Sequence, residues 1–130
     1  MQGEARGTYA VNLLPISGND GPIGVMSIDK VFHGDLQGSS VGQMLAFRSP
    51  VQGSAGYVAM ERVTATLAGR HGGFTLQHNG LMTRGTPQLR VVVVPDSGSD
   101  GLLGLAGTLE ITISEGRHDY RLLYSLPEEP

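Results

Sequence analysis

The chain of 130 residues carries 9 Lys and Arg against 12 Asp and Glu, a net charge of −3 with no basic run, which offers little to nucleic acid or an anionic membrane surface. It has no cysteine, so disulfide stapling and thiolate metal sites are excluded. The length fits one domain, residues 1–130, large enough for a core of its own.

In chain order, Gly7 to Leu14 predicts a strand with Tyr9, Val11 and Leu13 on one face. Pro15 to Pro22 carries loop signals throughout. Ile23 to His33 predicts a second strand, with Met26, Ile28, Lys30 and Phe32 opposite Val25, Ser27, Asp29, Val31 and His33; the pattern does not say which face is inside. After a turn at Gly34–Gly38, Ser39 to Arg48 predicts a third strand, in which Val41, Gln43, Leu45 and Phe47 alternate with Gly42, Met44 and Ala46. The small residues of the second set suit close packing or the approach of a ligand.

Gly56 to Gly80 (GYVAMERVTATLAGRHGGFTLQHNG) predicts a hairpin turning at Gly69–Gly73. Beyond a bend at Met82–Gly85, Gln88 to Val94 predicts a sixth strand, whose unbroken valines suggest burial on both faces and contact with another subunit. Asp96 to Gly101 (DSGSDG) is expected to be a flexible loop. Leu105 to Ser114 and His118 to Leu126 predict two further strands joined by a turn at Glu115–Arg117, and an acidic tail follows from Pro127. Eight strands with short connections and no helical pattern point to an all-β domain, an antiparallel barrel that leaves no exposed edge.

The central hairpin holds two ionisable residues on otherwise apolar faces. Glu61 lies among Tyr57, Ala59, Val63, Ala65 and Leu67, and His78 shares a face with Phe74 and Leu76. If Leu67 faces Phe74, Glu61 sits one diagonal step from His78, within reach of two long polar side chains. A carboxylate in an apolar cavity has its pKa pushed upward unless a cation offsets the burial, which is how a general acid or base is made. Glu61 and His78 are therefore the catalytic candidates. Tyr57, Met44, Phe74, Leu76, Tyr120 and Tyr124 are the candidates for lining the substrate. His33, His71, His78 and His118 lack the spacing of a metal site, so neither a metal nor another cofactor is expected. Ser97 lacks the strand-to-helix context of a nucleophile elbow.

The stretches FHGDLQGSSVGQML from Phe32, GYVAMER from Gly56, GRHGGFTLQHNG from Gly69, VVPDSGSDGLLGLAG from Val93 and HDYRLLYSL from His118 resemble a bacterial family of uncharacterised function whose members fold like allene oxide cyclase. The resemblance implies an eight-stranded barrel. The wider barrel group includes plant cyclases, dirigent proteins and bacterial cyclases of secondary metabolism, which shape an apolar cavity around a reactive small molecule.

The expectation is thus a cofactor-free isomerase or cyclase acting on a hydrophobic or polyketide-like small molecule, with Glu61 and His78 as its acid–base pair and Tyr57 orienting a carbonyl or hydroxyl. The alternatives are a non-catalytic ligand-binding barrel and a structural barrel that self-assembles through its valine-rich strand. A homo-oligomer is expected. No run approaches the length of a bilayer helix, and the N-terminus lacks the basic-then-apolar order of a signal peptide, so a cytoplasmic location is expected.

Overall fold

The computed structural model describes residues 1–16 and 21–128. Parts of the expected loop at 15–22 and of the acidic tail therefore lie outside the described residues. The strands are β1 (Gln2–Pro15), β2 (Gly24–Gly34), β3 (Leu36–Arg48), β4 (Ala55–Leu67), β5 (Arg70–Thr83), β6 (Thr86–Val93), β7 (Ser99–Asp100), β8 (Ala106–Ser114) and β9 (Arg117–Ser125). The order β4-β3-β2-β1-β9-β8-β6-β5 closes on itself through β4–β5 pairing, and every pairing is antiparallel. The result is an eight-stranded barrel, with no helix among the described residues and with β7 as a two-residue addition to β5.

The period of two sorts the side chains. Inward positions alternate with exposed ones along β2, β4 and β5. One end of the barrel is plugged by Leu36, Leu67, Leu102, Leu105 and Leu126, each at most 1% exposed. Tyr120 helps to build this end: its hydroxyl accepts from the Leu36 amide (2.9 Å) and shares its one hydrogen between the His33 (2.9 Å) and Leu36 (3.1 Å) carbonyls, pinning the β2–β3 turn. The β1–β2, β3–β4, β5–β6 and β8–β9 connections lie at the opposite end, where no comparable leucine plug is seen among the described residues, and we call this the open end. Its inward-phase residues Leu13, Met82, Leu89 and Ile113 are all exposed, and Met26, Met44, Tyr57 and Ile111 are half-buried just below them. The seam between β6 and β8 is short, with only Val91↔Leu109 and Val92↔Thr108 paired. Above it, toward the open end, the two strands part, and Leu89, Ile111 and Ile113 flank the split.

The hairpin register differs from the expected one. Ala68 and Gly69, at φ 52° and 75°, form a two-residue turn. Leu67 therefore faces Arg70, and Ala59 faces His78. The slip is an even number of residues, so every side chain keeps its face, and Glu61 stays one diagonal step from His78. Gly72 and Gly73 lie within β5 because the 97–101 segment crosses them. A Cβ on Gly72 would stand 2.1 Å from the Ser99 carbonyl oxygen. That segment, expected to be flexible, is held by hydrogen bonds. Ser97 and Ser99 hydroxyls accept from the Thr75 (3.0 Å) and Gly73 (3.1 Å) amides, and Arg62 donates to the Ser97 carbonyl (2.7 Å) and the Ser99 hydroxyl (3.0 Å).

On β3 the small-residue set faces inward, while Val41, Leu45 and Phe47 lie exposed on the outer wall. Gly42 is the reason β4 comes so close. A Cβ there would lie 2.0 Å from the Met60 carbonyl oxygen and 2.6 Å from the Glu61 Cα. Gly42→Ala is expected to destabilise the protein by about 1–3 kcal/mol through forced displacement of the backbone; an unchanged urea midpoint would contradict this contact. The valine run divides by phase, with Val91 and Val93 in the core and Val92 and Val94 half-buried on the outside.

Candidate functional site

Four strands bring polar side chains to one point inside the barrel, just below the open end. Glu61 of β4 is 1% exposed and sits at the centre. Its Oε2 accepts from Lys30 Nζ of β2 at 2.8 Å and from His78 Nε2 of β5 at 2.7 Å, and its Oε1 accepts from the Ser40 hydroxyl of β3 at 2.8 Å. On the far side of the His78 ring, Nδ1 lies 3.4 Å from the Tyr57 hydroxyl. The Lys30 ammonium also stands over the Tyr9 ring, 4.7 Å from its centroid, and 5.9 Å from that of Phe32. Tyr9 in turn packs on Phe32 and His118.

Burial alone pushes the Glu61 carboxyl upward. The hydrogen bond from His78 and the adjacent Lys30 ammonium outweigh it and hold the group at about 2. Glu61 is therefore an ion at every working pH. That reverses the upward shift expected for an unpaired carboxylate in an apolar barrel, and the cause is a cation from β2. With an ionised carboxylate on one side of the ring, the hydrogen-bond network assigns the proton to Nε2 and leaves Nδ1 with the lone pair, to which Tyr57 donates. Burial, then the Glu61 charge, raises the Tyr57 hydroxyl and pushes the Tyr9 hydroxyl up to about 12, so both remain neutral donors.

Of the residues singled out from the sequence, Glu61, His78 and Tyr57 are brought together, and Met44 lies half-buried beside them, paired with Ala59, the inward residue between Tyr57 and Glu61 on β4. The others do not meet them at the opening. Phe74 and Leu76 are fully buried, in the layers at and below Glu61. Tyr120 uses its hydroxyl on backbone at the closed end. Tyr124 lies beside Gly3 and Gly107, also toward that end. The sequence pattern does not single out Lys30, Ser40 or Tyr9 as site residues. Lys30 did carry a signal, as the single charge in the alternating run Met26, Ile28, Lys30, Phe32. Among the described residues, surface clefts lie along the β1–β8–β9 wall and beside the N-terminus, and Glu61 does not line these. Among the described residues no three His, Asp or Glu side chains gather as a metal site.

Residues 5–124 match the model of a family described as a protein of unknown function, DUF3224. The chain belongs to the DUF3224 family. A solved DUF3224 structure from Shewanella oneidensis MR-1, also of unknown function, is 40% identical with a TM-score of 0.91, covering 99% of this chain and 100% of that one. No curated protein matches the chain. The family expected from the motifs was one of uncharacterised function, and DUF3224 is such a family; the allene oxide cyclase likeness is not part of what these matches carry. No helix among the described residues of this DUF3224 barrel is long and apolar enough to cross a membrane.

Proposed function

We propose that this barrel is a cofactor-free proton-transfer enzyme of the isomerase or cyclase type, acting on a largely apolar small molecule that enters at the open end, in the manner of allene oxide cyclase-like barrels. The observation that carries the reading is the relay from Glu61 Oε2 through His78 (2.7 Å) to the Tyr57 hydroxyl (3.4 Å), directed toward the opening. Glu61 stays ionised, aligns the imidazole and stabilises its protonated form. His78 Nδ1 is the base, so the proton carrier is His78 alone rather than a Glu61–His78 pair.

In the simplest case, a β,γ-unsaturated ketone, Nδ1 removes the α-proton. The electron pair passes into the carbonyl oxygen as a dienolate, stabilised by the Tyr57 hydroxyl. The same proton returns to the γ-carbon, giving the conjugated enone with atoms and charge conserved. The 3.4 Å Tyr57–His78 contact is long for an O–H donor, so a substrate oxygen can replace it at little cost.

The test is the conversion of 3-cyclohexenone to its conjugated isomer, followed by ultraviolet absorbance. The protein should accelerate it over buffer, and Tyr57→Phe should slow it about tenfold or more through loss of an oxyanion donor. A wild-type rate equal to buffer, across a panel of such ketones, would reject catalysis. A second reading has its own support: all of Glu61's partners are internal, which suits a barrel that binds a ligand without transforming it. In that case, ligand binds with no proton exchange into it from deuterated solvent.

A further inference from the structure

Tyr9 is 8% exposed, and its hydroxyl has no hydrogen-bond partner among the described residues, yet it is not sealed in the core. Leaving a phenol oxygen unbonded in a largely apolar surrounding is unfavourable, and tyrosine is normally placed where its oxygen finds a partner. The ring position is fixed by Phe32, His118 and the Lys30 ammonium. The Lys30 ammonium 4.7 Å from the Tyr9 ring and the His78 ring 3.4 Å from the Tyr57 hydroxyl both bond Glu61 Oε2, so the two tyrosines border one cluster, and burial with the Glu61 charge raises both hydroxyls. They come from β1 and β4, with β2 and β3 between them, and so reach the interior from different walls.

We infer that Tyr9 is a positioning residue for substrate, its hydroxyl joining that of Tyr57 on one ligand oxygen, and that the ligand class is a neutral carbonyl compound with an apolar body. This deepens the proton-transfer reading above and rests on it. The chemistry of the surroundings selects the class. Both hydroxyls are donors, so the ligand atom is an acceptor. Lys30, the cation beside Tyr9, is already neutralised by Glu61 at 2.8 Å, so an anionic head group gains no free counter-charge there. Met26, Met44 and Met82 with Leu13, Leu89 and Ile113 offer a wall that is apolar and, through its methionines, adaptable in shape. Two donors on one oxygen are also what a developing enolate requires.

The probe is Prodan, a neutral naphthyl ketone whose emission shifts to the blue on leaving water. Saturable, blue-shifted binding to the wild-type protein is expected, with the infrared carbonyl band of the bound probe at a hydrogen-bonded position. Tyr9→Phe removes one oxygen and keeps the ring. It should weaken binding about three- to tenfold, the loss of one neutral hydrogen bond, and move the carbonyl band toward its unbonded position. Equal affinity with an unmoved band in Tyr9→Phe overturns the anchor. A wild-type band at the unbonded position overturns it without any variant. Absence of saturable binding to the wild type overturns the ligand class. The cyclohexenone assay is read separately, so acceleration that Tyr9→Phe does not alter sinks this inference and leaves the proton-transfer reading standing.

Discussion

His78→Gln is expected to remove most of the isomerisation rate above buffer, a loss of about a hundredfold to ten-thousandfold, the usual worth of a positioned general base. The expectation follows from the two sides of the ring. Nε2 is committed to Glu61 at 2.7 Å, and Nδ1 faces Tyr57 and the opening. A glutamine amide can still donate to the carboxylate, so the polar cluster keeps a bond at that point while losing the basic nitrogen. The decisive readout is therefore the rate at unchanged stability. A His78→Gln protein with wild-type kcat and wild-type melting would exclude the imidazole as base. A variant that loses stability and rate in parallel would point to a structural histidine instead.

Glu61→Leu should have the largest effect on stability, about 3–5 kcal/mol, because it leaves the Lys30 ammonium buried without its counter-ion. Lys30→Met combined with Glu61→Leu replaces the pair by side chains of similar volume and should recover much of the loss, since the cost lies in an uncompensated charge. Urea unfolding of the two single variants and the double variant gives the coupling between them. Additive losses, with no recovery in the double variant, would mean that the pair is not coupled.

The same carboxylate sets an acid limit. Its folded value of about 2 lies below the ordinary 4.5, so its contribution is complete above about pH 4.5 and is lost as pH falls toward 2. The shift corresponds to on the order of 3 kcal/mol. Across that window the wild type should lose stability more steeply than Glu61→Leu. Parallel curves would show that Glu61 is not held low.

Much of this site was legible in the chain. The alternation in GYVAMERVTATL puts Glu61 inward whatever the neighbours are, and the same holds for His78 in FTLQHNG. Their meeting survived an incorrect turn because the error was an even number of residues, which preserves the face of every side chain. Lys30 was visible as a charge in an apolar run, but nothing local said whether that run or the opposite one faced the core. On β3 the pattern was ambiguous in the same way: either set could face inward, and Val41, Leu45 and Phe47 lie outside because the small set with Gly42 is what lets β3 and β4 approach.

Periodicity and turn chemistry are properties of neighbours along the chain. They suffice for an all-β domain, the strand positions, and Glu61 and His78 on one inward surface. Closure of the barrel decided the rest. It selected the inner faces of β2 and β3 and so delivered Lys30 and Ser40 to the carboxylate. That converted a candidate acid–base residue into a permanent ion, because the sign of a buried group's pKa shift depends on which charges the other strands bring within about 3 Å. Closure also plugged one end with leucines, while at the other the inward-phase residues beyond Tyr57 are exposed. These outcomes depend on contacts between residues distant in sequence, which no local pattern encodes.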